Sequence, residues 1–330
     1  MSKRFKTLLI DGNNMAYRAK YSFSLSYKGE DTSVLYGVMR IISTLAEVYR
    51  PFSIVVAWDG GTPLYRKECL PSYKEGRQRD TDYLMFLEQI DKLRVDIANF
   101  GIVSLWRKGI EADDFLYHAS RMLPDGCAIV TTDKDLLQAV SPSASIIRPG
   151  SKGKKDEIIT FDNFVESTGV ELHKYLMYKV LLGDSSDRIP GCQGVGAVTA
   201  ARLLASAKEA TPKEVMAVAK GKVLEKLTKY FQDGYETAIQ VADLEEDYTG
   251  ATYTILHTPY KPFSRKAYFR WCVDYGFNSL IDLGGTPKEF STLEAPEWNT
   301  TEALSPKIWS WYRKCQDIQV ETKDQDSNEL

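Results

Sequence analysis

The sequence is poor in the residues that build disulfide frameworks and zinc sites. Its five cysteines and three histidines are scattered over 330 residues, and no C-x-x-C pair or H-E-x-x-H helix brings two of them together. The cysteines are therefore expected to be free thiols in the cytoplasm. No apolar run reaches the roughly 20 residues that span a bilayer, and the first residues lack an apolar signal core, so we expect no membrane association.

An excess of positive charge is also missing. The chain has 42 lysines and arginines against 45 aspartates and glutamates, a net charge of −3. This balance excludes a protein that coats nucleic acid by bulk charge, so a polyanion would have to be held by a local patch. Hydrophobic residues make up 43% of the chain, which is enough to form a buried core without stabilising cross-links.

Three short apolar runs in the amino-terminal half end in an aspartate. They cover 7–10, 54–58 and 128–132, and lead into Asp11, Asp59 and Asp133. Helical patterns lie between them, which predicts an α/β fold with a mostly parallel central sheet flanked by helices. Since ligands bind at the carboxyl ends of parallel strands, the three carboxylates should converge.

The pattern also predicts the individual elements and the division of the chain into units. Helices are expected at 33–49, 80–98, 112–123, 172–182, 197–207 and 212–229, with a strand at 157–160. The units expected are an α/β domain at 1–170, a helical subdomain at 171–250, an aromatic-rich helical extension at 251–316 and an acidic tail at 317–330.

Further carboxylates lie at predicted element ends rather than on solvated helix faces. The whole set is Asp11, Asp59, Glu111, Asp113, Asp114, Asp133, Asp135, Asp184 and Asp187. Taken singly, the acids at 111–114 could only cap a helix, and those at 184–187 a turn. Taken together, they need cations to remain ionised in one cleft, and all-oxygen ligands favour Mg²⁺, with Mn²⁺ as a substitute. Two such ions about 4 Å apart promote phosphate ester hydrolysis.

Two segments predict contacts with a polyanion. The segment 64–79 carries Lys74 and Arg77, which could stabilise charge on a phosphate, and Tyr73, which could stack on a base. Two further cations of this segment, Lys67 and Arg79, fit a solvated loop. Further on, Gly194-Val195-Gly196 lies between two helices, where bare backbone amides could approach a phosphate. A lone Gly-x-Gly is weak evidence, but a hairpin between helices suits a nucleic-acid backbone.

These motifs, in this order, resemble the 5′ nuclease family of flap endonucleases, polymerase I exonuclease domains and free-standing phage enzymes. The matching residues are Leu-Ile-Asp-Gly-Asn-Asn around Asp11, Trp-Asp at 58–59, Tyr-Arg at 65–66, Tyr-Lys-x-Gly-Arg at 73–77, Glu-Ala-Asp-Asp at 111–114, Thr-x-Asp-Lys-Asp-Leu at 131–136, Leu-x-Gly-Asp-x-Ser-Asp-x-Ile-Pro-Gly at 181–191 and Gly-Val-Gly-x-x-Thr-Ala at 194–200. The agreement runs over about 11–240, and the final ninety residues match loosely.

The resemblance implies a two-metal nuclease that cleaves 5′ flaps, nicks or 5′ ends of duplex DNA, often RNA–DNA hybrids too. It implies an arch at about 64–100 over the site and a helix–hairpin–helix at 172–207 that holds duplex, often with K⁺. One metal would lie among residues 11, 59, 111 and 113, the other among 133, 135, 184 and 187, with Asp114 and Asp133 near both. Lys74, Arg77 and Asp133 would be catalytic. The DNA contacts implied are Arg18, Arg66, Tyr73, Gly194, Val195, Gly196 and Thr199.

The sequence departs from the family pattern in its hairpin. Cys192-Gln193 stands where the family often has an apolar residue and a lysine, and Arg188 replaces a common asparagine. These differences should alter the grip on duplex rather than the chemistry. We also expect a monomer, a replication-protein contact through the carboxy-terminal region and, for a phage-encoded chain, a location in the host cytoplasm.

Two rival interpretations belong to other classes. A haloacid-dehalogenase-type phosphatase would need a second acid two residues after Asp11, and that residue is Asn13. A catalytically silent DNA-structure-binding replication protein on the same fold could lose its acids freely, yet all nine are present.

Overall fold

A six-stranded sheet forms the centre of the computed structural model, which describes residues 5–76, 80–150, 153–282 and 288–299. The strand order is β5-β4-β1-β6-β7-β8, and all neighbours are parallel except the last pair. The strands, with a small hairpin of β2 and β3, are β1 (Thr7–Asp11), β2 (Ser26–Tyr27), β3 (Glu30–Asp31), β4 (Ser53–Ala57), β5 (Val103–Leu105), β6 (Cys127–Val130), β7 (Ala144–Arg148) and β8 (Glu157–Ile159). This confirms the predicted fold class.

Helices flank the sheet and continue beyond it. They are α1 (Gly12–Ser22), α2 (Ser33–Tyr49), α3 (Leu64–Cys69), α4 (Thr81–Phe100), α5 (Ala112–Arg121), α6 (Phe164–Thr168), α7 (Tyr175–Leu182), α8 (Ala197–Ser206), α9 (Pro212–Val218), α10 (Gly221–Asp233), α11 (Tyr235–Ala242), α12 (Ala251–His257), α13 (Arg265–Asp274) and α14 (Asn278–Asp282). The single helix predicted at 212–229 is wrong, because Ala219 and Lys220 adopt extended backbone and separate α9 from α10.

The period-two alternation of the strands divides the apolar side chains between two cores. In β1, Leu8 and Ile10 join one cluster, with α2 and α4, while Leu9 joins the other, with α5. Such alternation places successive side chains on opposite faces of a sheet. The sheet is therefore covered on both faces, and its carboxyl edge remains available for a site.

A third apolar cluster holds the helices that follow the sheet. It includes Leu181 of α7, Leu204 of α8 and Leu227 of α10, and it takes in Tyr73 from the segment before α4. The loop between α7 and α8 is closed by an antiparallel bridge between Asp184 and Ile189. This cluster therefore joins the segment that carries Lys74 to the helical region.

The residues after α12 return to the sheet rather than extending away from it. Tyr268, Trp271 and Phe290 belong to the same cluster as Leu8 and Ile10. Within the described part of the chain, none of the helices combines the length and apolarity needed to span a membrane.

Candidate active site

Three aspartates meet at the carboxyl edge of the sheet, as predicted. Asp11 ends β1 and caps α1, accepting from the backbone N–H of Asn14 at 2.9 Å and from the Thr131 hydroxyl at 2.8 Å. The Asn14 side chain accepts from the backbone N–H of Thr132 at 3.1 Å, which ties β1 to the segment that carries Asp133.

On the other side of β1, the Asn13 side chain accepts from the backbone N–H of Asp59 at 3.0 Å. The two asparagines and Thr131 therefore hold the three strand ends together. Sequence reasoning assigned no role to Asn14 or Thr131, although their position beside the strand-end acids was the available signal.

The first turn of α5 brings three more carboxylates to this edge. Asp59 accepts from the backbone N–H of Ala112 at 2.9 Å, which anchors the helix start against β4. Asp114 accepts from the backbone N–H of Glu111 at 3.3 Å, so the capping role considered for this triplet is also real. Asp113, in the same turn, interacts electrostatically with the strand-end acids, most strongly with Asp133 and Asp11.

The electrostatics of this group are those of crowded like charges. Burial, followed by the charges of Asp133, Asp11, Asp59 and Asp135, raises the pKa of Asp113 well above its ordinary value. Burial and the neighbouring Asp59 and Asp133 raise the pKa of Asp11 to about 7. Carboxylates with raised pKa values would be stabilised as anions by a cation placed among them.

The donor chemistry of the site fits a hard divalent cation, but the metal geometry is not preformed. Asp11, Asp59, Asp113 and Asp133 offer only carboxylate oxygens, the ligands of Mg²⁺ or Mn²⁺. Among the described residues, no group of three or more His, Cys, Asp or Glu side chains is arranged so that it could hold a metal ion.

Arg66 does not reach the surface as its predicted DNA contact requires. It is only 2% exposed, and its guanidinium pairs with Glu111 and with Asp114, the latter at 2.7 Å. Its Nε also donates to the carbonyl of Val241 at 3.2 Å. The expectation of a DNA contact is corrected by this burial, and Arg66 instead orients two acids. Both carboxylate oxygens of Asp114 accept from this arginine, whereas Glu111 pairs with it through one oxygen.

Tyr73 is likewise buried, whereas Lys74 lies at the site. Tyr73 is 3% exposed, and its hydroxyl lies 3.2 Å from a Glu111 oxygen, so base stacking is not available to it in this conformation. Lys74 Nζ lies 2.5 Å from Glu111 Oε1 and 3.8 Å from Asp187 Oδ2. Burial alone would raise the pKa of Glu111, but Arg66 and Lys74 hold it below its usual range.

A second group of acids surrounds a lysine that sequence reasoning missed. Lys179, in the last turn of α7, pairs with Asp135 and lies 4.0 Å from Asp184 Oδ2. Burial would lower the pKa of Lys179, but these acids raise it. Burial raises the pKa of Asp135, although Lys179 opposes this effect. The lysine therefore supplies positive charge beside the acids predicted to hold the second metal. Its position five residues before Asp184 was the available signal.

The glycine hairpin exposes two of its predicted contacts and buries a third. Gly194, in the left-handed region with φ of 79°, and Gly196, at the start of α8, are exposed. Val195 is buried, and its backbone N–H already donates to Cys192 at 2.9 Å, which corrects its assignment as a phosphate contact. Thr199 is half-buried in the first turn of α8.

A cation unforeseen in the sequence lies over this hairpin. A Cβ built on Gly194 would lie 2.2 Å from Nζ of Lys226, an exposed residue of α10.

Two predicted residues remain. Arg18 is half-buried and donates to the carbonyl of Gly150, and Arg77 lies outside the described residues.

Comparison with known proteins identifies the family. Residues 6–169 match the family described as 5′–3′ exonuclease, N-terminal resolvase-like domain. The 5′–3′ exonuclease of Aquifex aeolicus is 34% identical over 205 residues, which cover 60% of this chain and 69% of that protein. The chain belongs to the 5′–3′ exonuclease family. A second relative, DNA polymerase I of Bacillus subtilis, is 30% identical over 293 residues, 86% of this chain but 33% of the polymerase. The chain thus spans about a third of that relative.

Solved structures show the same exonuclease-family fold. The T5 5′-exonuclease with bound zinc aligns with a TM-score of 0.62 at 19% identity, covering 84% of this chain and 98% of that one. Flap endonuclease-1 from Methanococcus jannaschii aligns with a TM-score of 0.57 at 16% identity, covering 88% and 91%.

Proposed function

We propose that this chain is a structure-specific 5′ nuclease that hydrolyses phosphodiesters of DNA at 5′ flaps, nicks or 5′ ends. The observation that carries the proposal is the convergence of Asp113 with four further carboxylates, in a chain of the exonuclease family. Like charges gathered at the ligand-binding edge of a parallel sheet are costly for folding, which argues for a role that needs them.

Two divalent ions, Mg²⁺ or Mn²⁺, would be held at this edge. The ligands proposed for one are Asp11, Asp59, Glu111 and Asp113, and for the other Asp133, Asp135, Asp184 and Asp187. When bound, such ions make a water more acidic and offset the charge that develops on a phosphate. Because both of its carboxylate oxygens accept from Arg66, Asp114 is proposed to orient its neighbours rather than to bind metal directly.

The residues of the chain then act on the phosphodiester. Lys74, once released from Glu111, would place its ammonium beside a nonbridging phosphate oxygen and stabilise the charge of the transition state. A new bond from water oxygen to phosphorus forms, and the bond from phosphorus to the 3′ oxygen breaks. The proton of the attacking water is lost to solvent, and the departing 3′ oxygen takes up a proton from solvent, so the products are a 5′-phosphate and a 3′-hydroxyl. Arg77 is proposed as a second cation of this step.

The DNA would be held by two parts of the chain. Gly194, Gly196 and Thr199 are proposed to contact one strand of the duplex, with K⁺ at the hairpin, while the segment 64–100 forms an arch for the 5′ strand. Arg18 is proposed to contact DNA at the edge of the site. Relatives named DNA polymerase I carry a matching region within a longer chain. This supports a role in DNA replication. We further propose that the protein acts in the cytoplasm as a monomer, that its carboxy-terminal region contacts a replication protein, and that RNA–DNA hybrids are further substrates.

The test is incubation with end-labelled 5′-flap, nicked and RNA–DNA hybrid duplexes, with Mg²⁺ or with a chelator. We expect Mg²⁺-dependent products that carry 5′-phosphates. Asp133→Ala should abolish cleavage while flap binding in chelator survives, and Asp162→Ala, a matched change at an exposed acid, should leave both unchanged. Equal cleavage by Asp133→Ala would remove the site assignment. Binding without any cleavage by the unaltered protein would instead support a silent DNA-binding role.

A further inference from the structure

Two residues that are not glycine adopt left-handed backbone where the segment of Lys74 meets the loop between α7 and α8. Lys74 has φ of 54° and Arg188 has φ of 62°. Long side chains rarely adopt this region, whereas asparagine does so more readily, and asparagine is the residue expected at position 188 from the family pattern. An arginine kept in this conformation needs compensating contacts.

The compensating contacts join the segment of Lys74 to the loop between α7 and α8. The backbone N–H of Lys74 donates to the carbonyl of Asp187 at 3.2 Å, and Arg188 Nε donates to the carbonyl of Glu75 at 3.3 Å. A Cβ built on Gly76 would lie 3.2 Å from Arg188 Nη2, so the guanidinium covers the chain just after Lys74. An asparagine side chain is too short to span this contact.

The loop that provides these contacts is itself rigidly held. Asp184 and Ile189 exchange backbone hydrogen bonds at 2.9 and 2.8 Å, and Cys192 donates to the carbonyl of Leu181 at 2.8 Å. A Cβ at Gly183 would lie 2.3 Å from the backbone N of Gly191, so the two arms of the loop are in close contact. The segment of Lys74 is therefore attached to a fixed part of the chain, which leads directly into the glycine hairpin.

We propose that Arg188 is a positioning residue for Lys74. By holding the backbone at Glu75, it keeps the Lys74 ammonium at the carboxylate edge, where only side-chain rotation is needed to move it from Glu111 to a phosphate. A cation whose backbone is already placed loses less entropy when it meets the transition state. The inference rests on the proposed function for its catalytic consequence, but its structural part, the restraint on Lys74, is independent of any activity.

The structural part is tested by limited trypsin digestion of the full chain in chelator, with cleavage after Lys74 quantified by mass spectrometry. Trypsin must withdraw this lysine from Glu111, so the rate reports its release. In Arg188→Asn this cleavage should be about tenfold faster, the factor for losing a hydrogen bond donated by a charged group. Arg50→Asn is the matched control, since Arg50 is exposed, has φ of 47° and lies at the end of α2; its rate should equal that of the unaltered protein.

The catalytic part is tested on a 5′-flap duplex with Mg²⁺. Arg188→Asn should lower the single-turnover rate about tenfold and leave the Kd for the flap, measured in chelator, unchanged. Arg188→Lys, which retains a long cationic donor, should recover part of both effects. Unchanged cleavage after Lys74 would overturn the proposal, and a weaker Kd with unchanged digestion would show that Arg188 is a phosphate contact instead. If the unaltered protein cleaves no substrate, the proposed function fails while the digestion result still decides the restraint.

Discussion

At the scale of single residues, the site is a balance of acids and three internal cations. Arg66, Lys74 and Lys179 each pair with at least one of the predicted metal ligands. Asp113, in contrast, interacts most strongly with other acids. The net charge of the predicted metal ligands therefore depends on which of these carboxylates is paired with a cation.

Lys179→Met should destabilise the metal-free protein. The change leaves Asp135 and Asp184 without the ammonium that lies beside them, and leaving a partly buried charged group without its partner costs about 1–3 kcal/mol. Added Mg²⁺ should restore much of this loss by replacing the charge. Urea unfolding with chelator and with Mg²⁺ measures both, with Lys208→Met, at an exposed lysine, as the control. A loss that is identical in the two conditions would contradict the role given to Lys179.

Asp11 makes the stability of the metal-free protein depend on pH. Its pKa rises from 3.8 to about 7 on folding, so the folded state holds this proton more tightly than the unfolded chain. Its contribution to the free energy of unfolding is therefore largest below the unfolded pKa and falls as pH rises towards 7. In chelator, Asp11→Asn, which retains a capping side chain, should lose less stability than the unaltered protein between pH 4.5 and 7.5. Parallel pH profiles from urea unfolding would show that another group is responsible.

At the scale of elements, helix ends and short loops place the chemistry. The helix α5 presents its acids because its start is anchored by Asp59, and α10 brings Lys226 over Gly194. The family pattern expects a lysine at position 193, where this chain has glutamine. Lys226 stands close enough to the hairpin to supply that charge from another element.

Lys226→Ala should therefore weaken duplex binding and reduce its dependence on salt. Loss of one phosphate contact lowers the slope of log K against log salt concentration by about 1. Fluorescence anisotropy with a nicked duplex in chelator at several salt concentrations measures the slope. Lys213→Ala, at an exposed lysine of α9, should not change it, and Gln193→Lys should restore the slope of the Lys226→Ala protein. An unaltered slope in Lys226→Ala would remove this lysine from the interface.

At the scale of the whole molecule, the carboxy-terminal helices complete the amino-terminal core. The Trp271 ring packs 5.3 Å from that of Phe100 and 5.0 Å from that of Phe277, and its Nε1 donates to Asp96 at 2.9 Å. The backbone N–H of Glu294 donates to the carbonyl of Phe52 at 2.7 Å. Sheet and carboxy-terminal region should therefore unfold together.

Trp271→Ala should lower the free energy of unfolding by about 3–5 kcal/mol, as for other large buried aromatic side chains. The neighbouring Phe269, 52% exposed, provides the control, and Phe269→Ala should change stability by about 0.5 kcal/mol or less. Thermal unfolding should show one transition in both. A separate transition that is lost in Trp271→Ala would mean that the extension folds independently of the sheet.

The local pattern of residues was sufficient for four strands of the sheet (β1, β4, β6 and β8), for the helices α2, α4, α5, α7 and α8, and for the acids at strand ends. Apolar runs that end at Asp11, Asp59 and Asp133 identify parallel strands, since both the alternation and the breaking residue are local properties. The break at Ala219 had one local signal, Gly221, which has φ of 55° at the start of α10. A single glycine inside a helical pattern is often tolerated, so this signal did not decide the boundary.

Only the tertiary structure decided which cations accompany the acids. Arg66 and Tyr73 lie in a segment that looks solvated, yet they are buried against Glu111, and Lys179 and Lys226 come from helices with no motif of their own. Ion pairs across more than forty residues depend on how elements pack, which no local spacing encodes. The chemistry of the site follows from the residues present, while its electrostatic balance follows from the fold that assembles them.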